Sequence, residues 1–191
     1  MVEGTVVELG DGRLWMVART ARDQHYETFS SDFGETWSEA VPSRFYGTIT
    51  MPTFHRMEDG RLLMFWSNTT PLPEVDRPNK KGGEDVFTNR DVLHAAISED
   101  DGQTWIGFRE LVLDEHRNNA DYAVTPGSND RGKHQCEVIQ LDEDRVLFST
   151  GQHPLHRKLM ILDVRWLYEK ERNSDLSKEG ATHWSTHQFI D

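Results

Sequence analysis

One eight-residue pattern occurs twice in this chain and restricts its fold more than any other feature. Ser30-Ser31-Asp32-Phe33-Gly34-Glu35-Thr36-Trp37 and Ser98-Glu99-Asp100-Asp101-Gly102-Gln103-Thr104-Trp105 share the template Ser-x-Asp-x-Gly-x-Thr-Trp. Five residue types at fixed spacing in two copies mark a repeat protein, in which one supersecondary unit is stacked several times. The residue types carry turn chemistry. Asp offers a carboxylate to nearby backbone N–H groups, and Gly accepts a positive φ. Trp then supplies a large apolar ring with one N–H to satisfy.

A second repeated element precedes each box. Residues 6–16 match residues 53–64, and each segment reads as a strand, an Asp-Gly turn (Asp11-Gly12, Asp59-Gly60) and a second strand. Residues 137–148 form a weaker third copy that keeps the strands and loses the Gly. Third strands are expected at 26–31, 92–98 and 158–164, and fourth strands at 38–45, 106–112 and 182–190. Residues 164–171 read either as an extension of the strand before them or as a short helix. Four short antiparallel strands per unit, in three units, are the pattern of a β-propeller.

The expected fold is therefore all-β: a single partial β-propeller domain over residues 1–191. Its blade units are 2–46, 47–113 and 134–191, with long loops at 70–89 and 114–134. Long loops in a compact domain tend to carry function. Three blades are too few to close a ring. The chain is thus expected either to be a fragment missing an N-terminal half or to form a homodimer that completes six blades.

Bulk properties exclude several classes. Among 191 residues, 33 are acidic and 21 basic, for a net charge of −12. Such a surface repels phosphate, so nucleic acid is not expected as a partner. Cys136 is the only cysteine, which rules out an internal disulfide and any CxxC metal site. There is no apolar run of about 18 residues to span a membrane. The first residues lack the basic and apolar stretches of a signal peptide. No cofactor and no metal are expected.

The repeated boxes resemble the Asp-box of bacterial neuraminidase repeats, and the chain is similar to the C-terminal half of a sialidase-type six-bladed propeller. The resemblance covers nearly all 191 residues. It implies a glycoside hydrolase acting on a terminal, acidic sugar of a glycan, and a secreted or periplasmic home. It also implies roles for particular residues. Glu3, in Glu3-Gly4-Thr5-Val6-Val7-Glu8-Leu9, matches the carboxylate that activates the nucleophile. Arg19, closing Met16-Val17-Ala18-Arg19, matches one arginine of a carboxylate-binding triad. Arg90, opening Arg90-Asp91-Val92-Leu93-His94, matches another. The nucleophile in such enzymes is a Tyr, an exception to the usual pair of carboxylates. Tyr122 lies at a plausible distance after Arg90, whereas the strand register points to His134 or Gln135. The first arginine of the triad and the acid/base Asp belong to the N-terminal half of the family.

These residue types suit the chemistry. Arginine presents a planar donor fork that grips a carboxylate bidentately. A neutral phenol approaches an anionic sugar with less repulsion than a carboxylate, and a nearby Glu takes its proton. His134 is a usable base near neutral pH. On a strand, His134 and Glu137 would point to opposite faces, which argues against a metal site with His153 and His156. Two other readings stand beside the first: a non-catalytic propeller that binds glycan or protein, and a different glycosidase that uses His134 as acid/base.

Overall fold

A computed structural model of the protein describes residues 1–20, 22, 24–47, 50–69, 90–115, 132–151 and 157–169. The first sheet contains β1 (Val2–Glu8), β2 (Leu14–Arg19), β3 (Gln24–Ser30) and β4 (Val41–Tyr46). The second contains β5 (Thr53–Arg56), β6 (Leu62–Trp66), β7 (Val92–Ser98) and β8 (Ile106–Leu113). The third contains β9 (Val138–Gln140), β10 (Arg145–Thr150) and β11 (Lys158–Asp163). Within each sheet the order follows the sequence and neighbouring strands are antiparallel. This is the blade of a propeller, repeated three times. The fourth strand expected at 182–190, the loop 70–89 and most of the loop 114–134 lie outside the described residues.

The hairpins form where the turn residues predict them. Leu9 N donates to Arg13 O at 2.7 Å, and Met57 N donates to Arg61 O at 2.8 Å. The third hairpin lacks the Gly yet keeps the closing bond, Leu141 N to Arg145 O at 2.8 Å. One expectation needs correction. The first fourth strand begins at Val41 rather than 38, because Ser38 closes the turn: its N–H donates to Phe29 O at 2.8 Å and its hydroxyl accepts from Phe29 N at 3.0 Å. Of the two readings of residues 164–171 the short helix holds: Val164–Tyr168 form a 3-10 turn, with Asp163 as its N-cap accepting from Arg165 N.

Both octapeptides fold by the same bonds. Asp32 Oδ1 accepts from Thr36 N at 2.9 Å, and Asp100 Oδ1 accepts from Thr104 N at 2.8 Å. Ser30 Oγ accepts from Gly34 N at 2.9 Å, and Ser98 Oγ accepts from Gly102 N at 2.8 Å. Each Trp N–H returns to the Gly carbonyl, at 3.1 Å in the first copy and 3.0 Å in the second. The residue before each Gly and the Gly itself take positive φ (Phe33 57°, Gly34 91°; Asp101 62°, Gly102 85°).

The core lies between sheets. Val7, Trp15, Val17 and Phe45 of the first sheet pack on Leu62, Met64, Trp66 and Trp105 of the second. The other face of the second sheet, with Leu63, Phe65, Ile97 and Val112, packs on Val146, Phe148 and Leu162 of the third. The middle sheet is covered on both faces, and every residue of β6 and β7 is buried. This explains why those two strands read as continuous apolar runs rather than alternating ones.

Neighbouring sheets lock by a recurring contact. Trp15 lies over Gly102, so tightly that a Cβ there would sit 2.5 Å from the ring. Arg44 of β4 donates to the Gln103 carbonyl at 2.5 Å. At the next junction Arg109 of β8 donates to the Glu169 carbonyl, and Leu167 lies over Gly107. The octapeptide of the second sheet, and the end of the 3-10 turn that stands in its place in the third, are thus each contacted by the sheet before.

Candidate functional site

The antiparallel order separates two ends of the molecule. Both octapeptides and all three hairpins lie at one end. The starts of β1, β5 and β9 lie at the other. These innermost strands run side by side in the same direction. Phe54 N donates to Thr5 Oγ1 at 3.1 Å, and Arg56 Nη2 reaches Glu8 O at 2.6 Å. Thr53 Oγ1 donates to Cys136 O at 2.8 Å, and Glu58 N to Gln140 Oε1 at 2.8 Å. Glu3, Met51 and Gln135 stand just ahead of these contacts, around the same mouth.

Glu3 and Arg19 meet there. The register skips between Val2 and Gly4, so Glu3 is the extra residue of a β-bulge, at φ 49°. A bulge re-aims its side chain, and here it turns Glu3 onto the last residue of β2. Glu3 Oε2 lies 2.6 Å from Arg19 Nη1, with the two side chains 39% and 18% exposed. Gly4 permits the close pairing, since a Cβ would sit 3.2 Å from the Met16 side chain. Arg19 Nε is buried and has no hydrogen-bond partner among the described residues. The guanidinium therefore keeps donor capacity beyond the Glu3 pair.

A backbone hydrogen bond ties Arg90 to Lys133, the neighbour of His134. Arg90, 3% exposed, precedes β7, and its carbonyl accepts from Lys133 N at 2.9 Å. Lys133 Nζ lies 3.2 Å from Asp114 Oδ2, and Asp114 N donates to Asp91 O at 2.8 Å. On the other side Gly151 N donates to His134 O at 3.1 Å. The segment ahead of β9 is thus clamped between the second and third sheets. His134 is 1% exposed. Gln135 has φ 59°, so the segment is not a strand and the expected alternation of His134 and Glu137 does not apply. Tyr122, His153 and His156 lie outside the described residues. Among the described residues no three His, Cys, Asp or Glu side chains converge as a metal site needs.

An open pocket of about 540 Å³ adjoins this mouth, lined by Met51, Gln135, Glu137, Ser149, Arg157 and Lys158 among others. Of the described residues expected from sequence, Gln135 lines it and Glu3, Arg19, Arg90 and His134 do not. Glu137, Arg157 and Lys158 were not anticipated as site residues. Glu137 follows Gln135 by two positions, a signal available in the sequence, and Arg157-Lys158 stands where the expected third strand begins. The pocket offers one carboxylate and two cations beside an apolar side formed by Met51 and Leu159, a set suited to a polyhydroxylated or anionic ligand. Two buried groups nearby are inert. Burial holds His25 below the ordinary histidine value, with its Nε2 3.0 Å from Thr50 O. Burial likewise pushes the Cys136 thiol up, which leaves it protonated and unreactive.

Comparison with known proteins agrees with this architecture. Among solved structures, an α-L-arabinofuranosidase from Fusarium graminearum in complex with an iminosugar inhibitor has a TM-score of 0.51 at 13% identity, over 84% of this chain and 44% of that chain. A leech intramolecular trans-sialidase has a TM-score of 0.49 at 19% identity, over 86% of this chain and 24% of that one. A sialidase from Streptococcus pneumoniae has a TM-score of 0.49 at 16% identity, with the same coverage. The chain spans less than half the length of these proteins. A search of curated protein sequences gives no match. Likeness at such identity speaks to fold alone, and the arabinofuranosidase match agrees with the β-propeller blades described above. The sequence itself carries the family assignment, because residues 1–132 match its profile: the chain belongs to the BNR repeat-like domain family.

Proposed function

We propose that this chain is part of a sialidase-like exo-glycosidase that acts on a terminal acidic sugar. The observation that carries the reading is the Glu3–Arg19 pair at 2.6 Å, at the end of the molecule away from the octapeptides. A substrate carboxylate would engage Arg19 through its free donors, with Arg90 as a second cation near the mouth. Glu3, held against Arg19, would take the proton of the nucleophile as it attacks the anomeric carbon. Tyr122 is the proposed nucleophile, with the His134-Gln135 position as its rival. The burial of His134 weighs against direct proton transfer by that residue, and Gln135 is better placed to touch a sugar. The proposed unit is one partial propeller domain over residues 1–191.

The pocket at Gln135, Glu137, Arg157 and Lys158 favours a second reading, a propeller that holds a glycan without cleaving it. Turnover separates the two. Fluorogenic aryl sialosides and aryl arabinofuranosides are incubated with wild type, Arg19→Ala and Glu3→Gln. The catalytic reading expects turnover of a sialoside, with kcat/KM reduced about 100-fold or more in each variant. Absence of turnover of every glycoside, alongside measurable binding, would leave the non-catalytic reading in its place.

A further inference from the structure

Glu3, Met51 and Gln135 hold the same place in the three sheets, ahead of Leu9, Met57 and Leu141, whose N–H groups close the three hairpins. Met51 and Gln135 line the pocket at the mouth. Gln135, like Glu3, has a left-handed backbone, at φ 59°. That conformation is costly for a residue with a Cβ, and it persists only where the surroundings fix the chain on both sides. Around Gln135 they do. Lys133 N donates to Arg90 O at 2.9 Å, and Thr150 Oγ1 donates to Lys133 O at 3.3 Å. Gly151 N donates to His134 O at 3.1 Å, Thr53 Oγ1 to Cys136 O at 2.8 Å, and Glu137 N to Ser149 Oγ at 3.1 Å. His134 and Cys136 are each 1% exposed, whereas Gln135 between them is half-buried at the pocket.

One contact in this set is an ion pair. Lys133 Nζ lies 3.2 Å from Asp114 Oδ2, with the two side chains 7% and 10% exposed. Asp114 follows β8, and its N–H donates to Asp91 O at 2.8 Å, next to the Arg90 carbonyl that anchors Lys133. Adjacent residues thus hold both partners. Burying two charges carries a desolvation cost that their attraction barely offsets, and apolar residues of like volume often stabilise a fold as well or better. The hydrogen bonds above already fasten the segment. An ion pair adds direction: a buried ammonium has one favourable position, beside its carboxylate, and that position fixes the chain just before Gln135.

We infer that Lys133 and Asp114 are positioning residues of the mouth: their buried pair holds Gln135 left-handed with its side chain at the pocket, where that side chain contacts a bound sugar. The inference rests on the reading that a sugar binds at the mouth. Lys133 and Asp114 act from beneath it, through Gln135, and touch no ligand themselves.

Two measurements test it. In Lys133→Met/Asp114→Leu, hydrogen–deuterium exchange is expected to speed at least about 10-fold in residues 133–137 and to stay unchanged in β6 and β7, with the melting temperature preserved. An unfolded double variant, faster exchange throughout, or unchanged exchange at 133–137 overturns the inference, since the pair would then be a structural contact or none. Calorimetry with N-acetylneuraminic acid asks whether the pair acts through Gln135. Gln135→Gly suits the left-handed backbone, so it is expected to stay folded and to lose affinity about 10-fold. The double variant is expected to lose about the same, and the triple variant no more than either. Losses that add in the triple variant would mean that the pair acts elsewhere, and they overturn the inference. A wild type that binds no sugar fails the acidic-sugar reading, and the exchange result then decides the role of the pair.

Discussion

The two octapeptides share every internal hydrogen bond and differ in what covers them. In the second, Trp15 sits on Gly102, Arg44 grips the Gln103 carbonyl, and Asp101 binds both Gly10 N and Arg56 Nη2, the latter at 2.5 Å. In the first, Gly34 has only loose neighbours, with Leu14 at 3.6 Å from a built Cβ, and Phe33 is exposed. The template therefore builds the turn, and the preceding blade builds the junction. A residue with the same role in both turns is expected to differ in energetic weight by what lies on top of it.

The tryptophans give the largest expected contrast. Trp105 is 9% exposed and touches the aromatic cluster of Trp15, Phe45 and Phe54, so Trp105→Ala is expected to cost about 3–5 kcal/mol. Trp37 is half-buried, and Trp37→Ala is expected to cost roughly 1–2 kcal/mol. Urea unfolding of both variants measures the gap, and equal losses would break the comparison.

The glycines come next. Both hold positive φ, which costs a side chain about 1–2 kcal/mol. At Gly102 an alanine also strikes the Trp15 ring, which adds about 1–3 kcal/mol of overpacking. Gly102→Ala is therefore expected to lower stability more than Gly34→Ala. Gly12, with φ 84° and nothing within 4 Å, serves as the control for backbone cost alone.

Asp101→Ala removes an acceptor from Gly10 N and from Arg56 and is expected to cost about 1–2 kcal/mol. Phe33→Ala at the equivalent place is expected to leave the unfolding of the single chain within about 0.5 kcal/mol.

The smallest effect is one that both turns share. Hydrogen bonds from Thr36 hold Asp32 at about 2, below the ordinary 3.8, and Thr104 lowers Asp100 in the same way. The folded values are depressed, so the unfolded chain binds protons first. This stability is present above about pH 4 and is lost as pH falls from there toward 2. Melting curves across that window are expected to flatten in Asp32→Asn and Asp100→Asn alike. A change confined to one variant would mean that the two turns are not electrostatically equivalent.

Much of the fold was legible because its signals are local. Asp-Gly turns, the octapeptide and alternating strands each act over a few residues, and they placed ten of the strands within a few positions. The third unit was harder, because it lost the Gly of its hairpin and carries a 3-10 turn where the others carry the octapeptide. The site was less legible. Pairing Glu3 with Arg19 depends on a bulge at Glu3, which nothing in the residue types announces. The burial of His134 depends on Arg90 and Gly151, which lie far from it in sequence. Glu137, Arg157 and Lys158 become neighbours only when β9 to β11 assemble.

The central claim is that the end away from the octapeptides holds an acidic sugar through Arg19. Isothermal titration calorimetry with free N-acetylneuraminic acid tests it most directly, on wild type, Arg19→Ala and Asp32→Asn. The account predicts binding to wild type, a loss of about 10- to 100-fold in Arg19→Ala, and unchanged affinity in Asp32→Asn at neutral pH. Absence of binding to wild type, or binding that Arg19→Ala leaves intact, would contradict it.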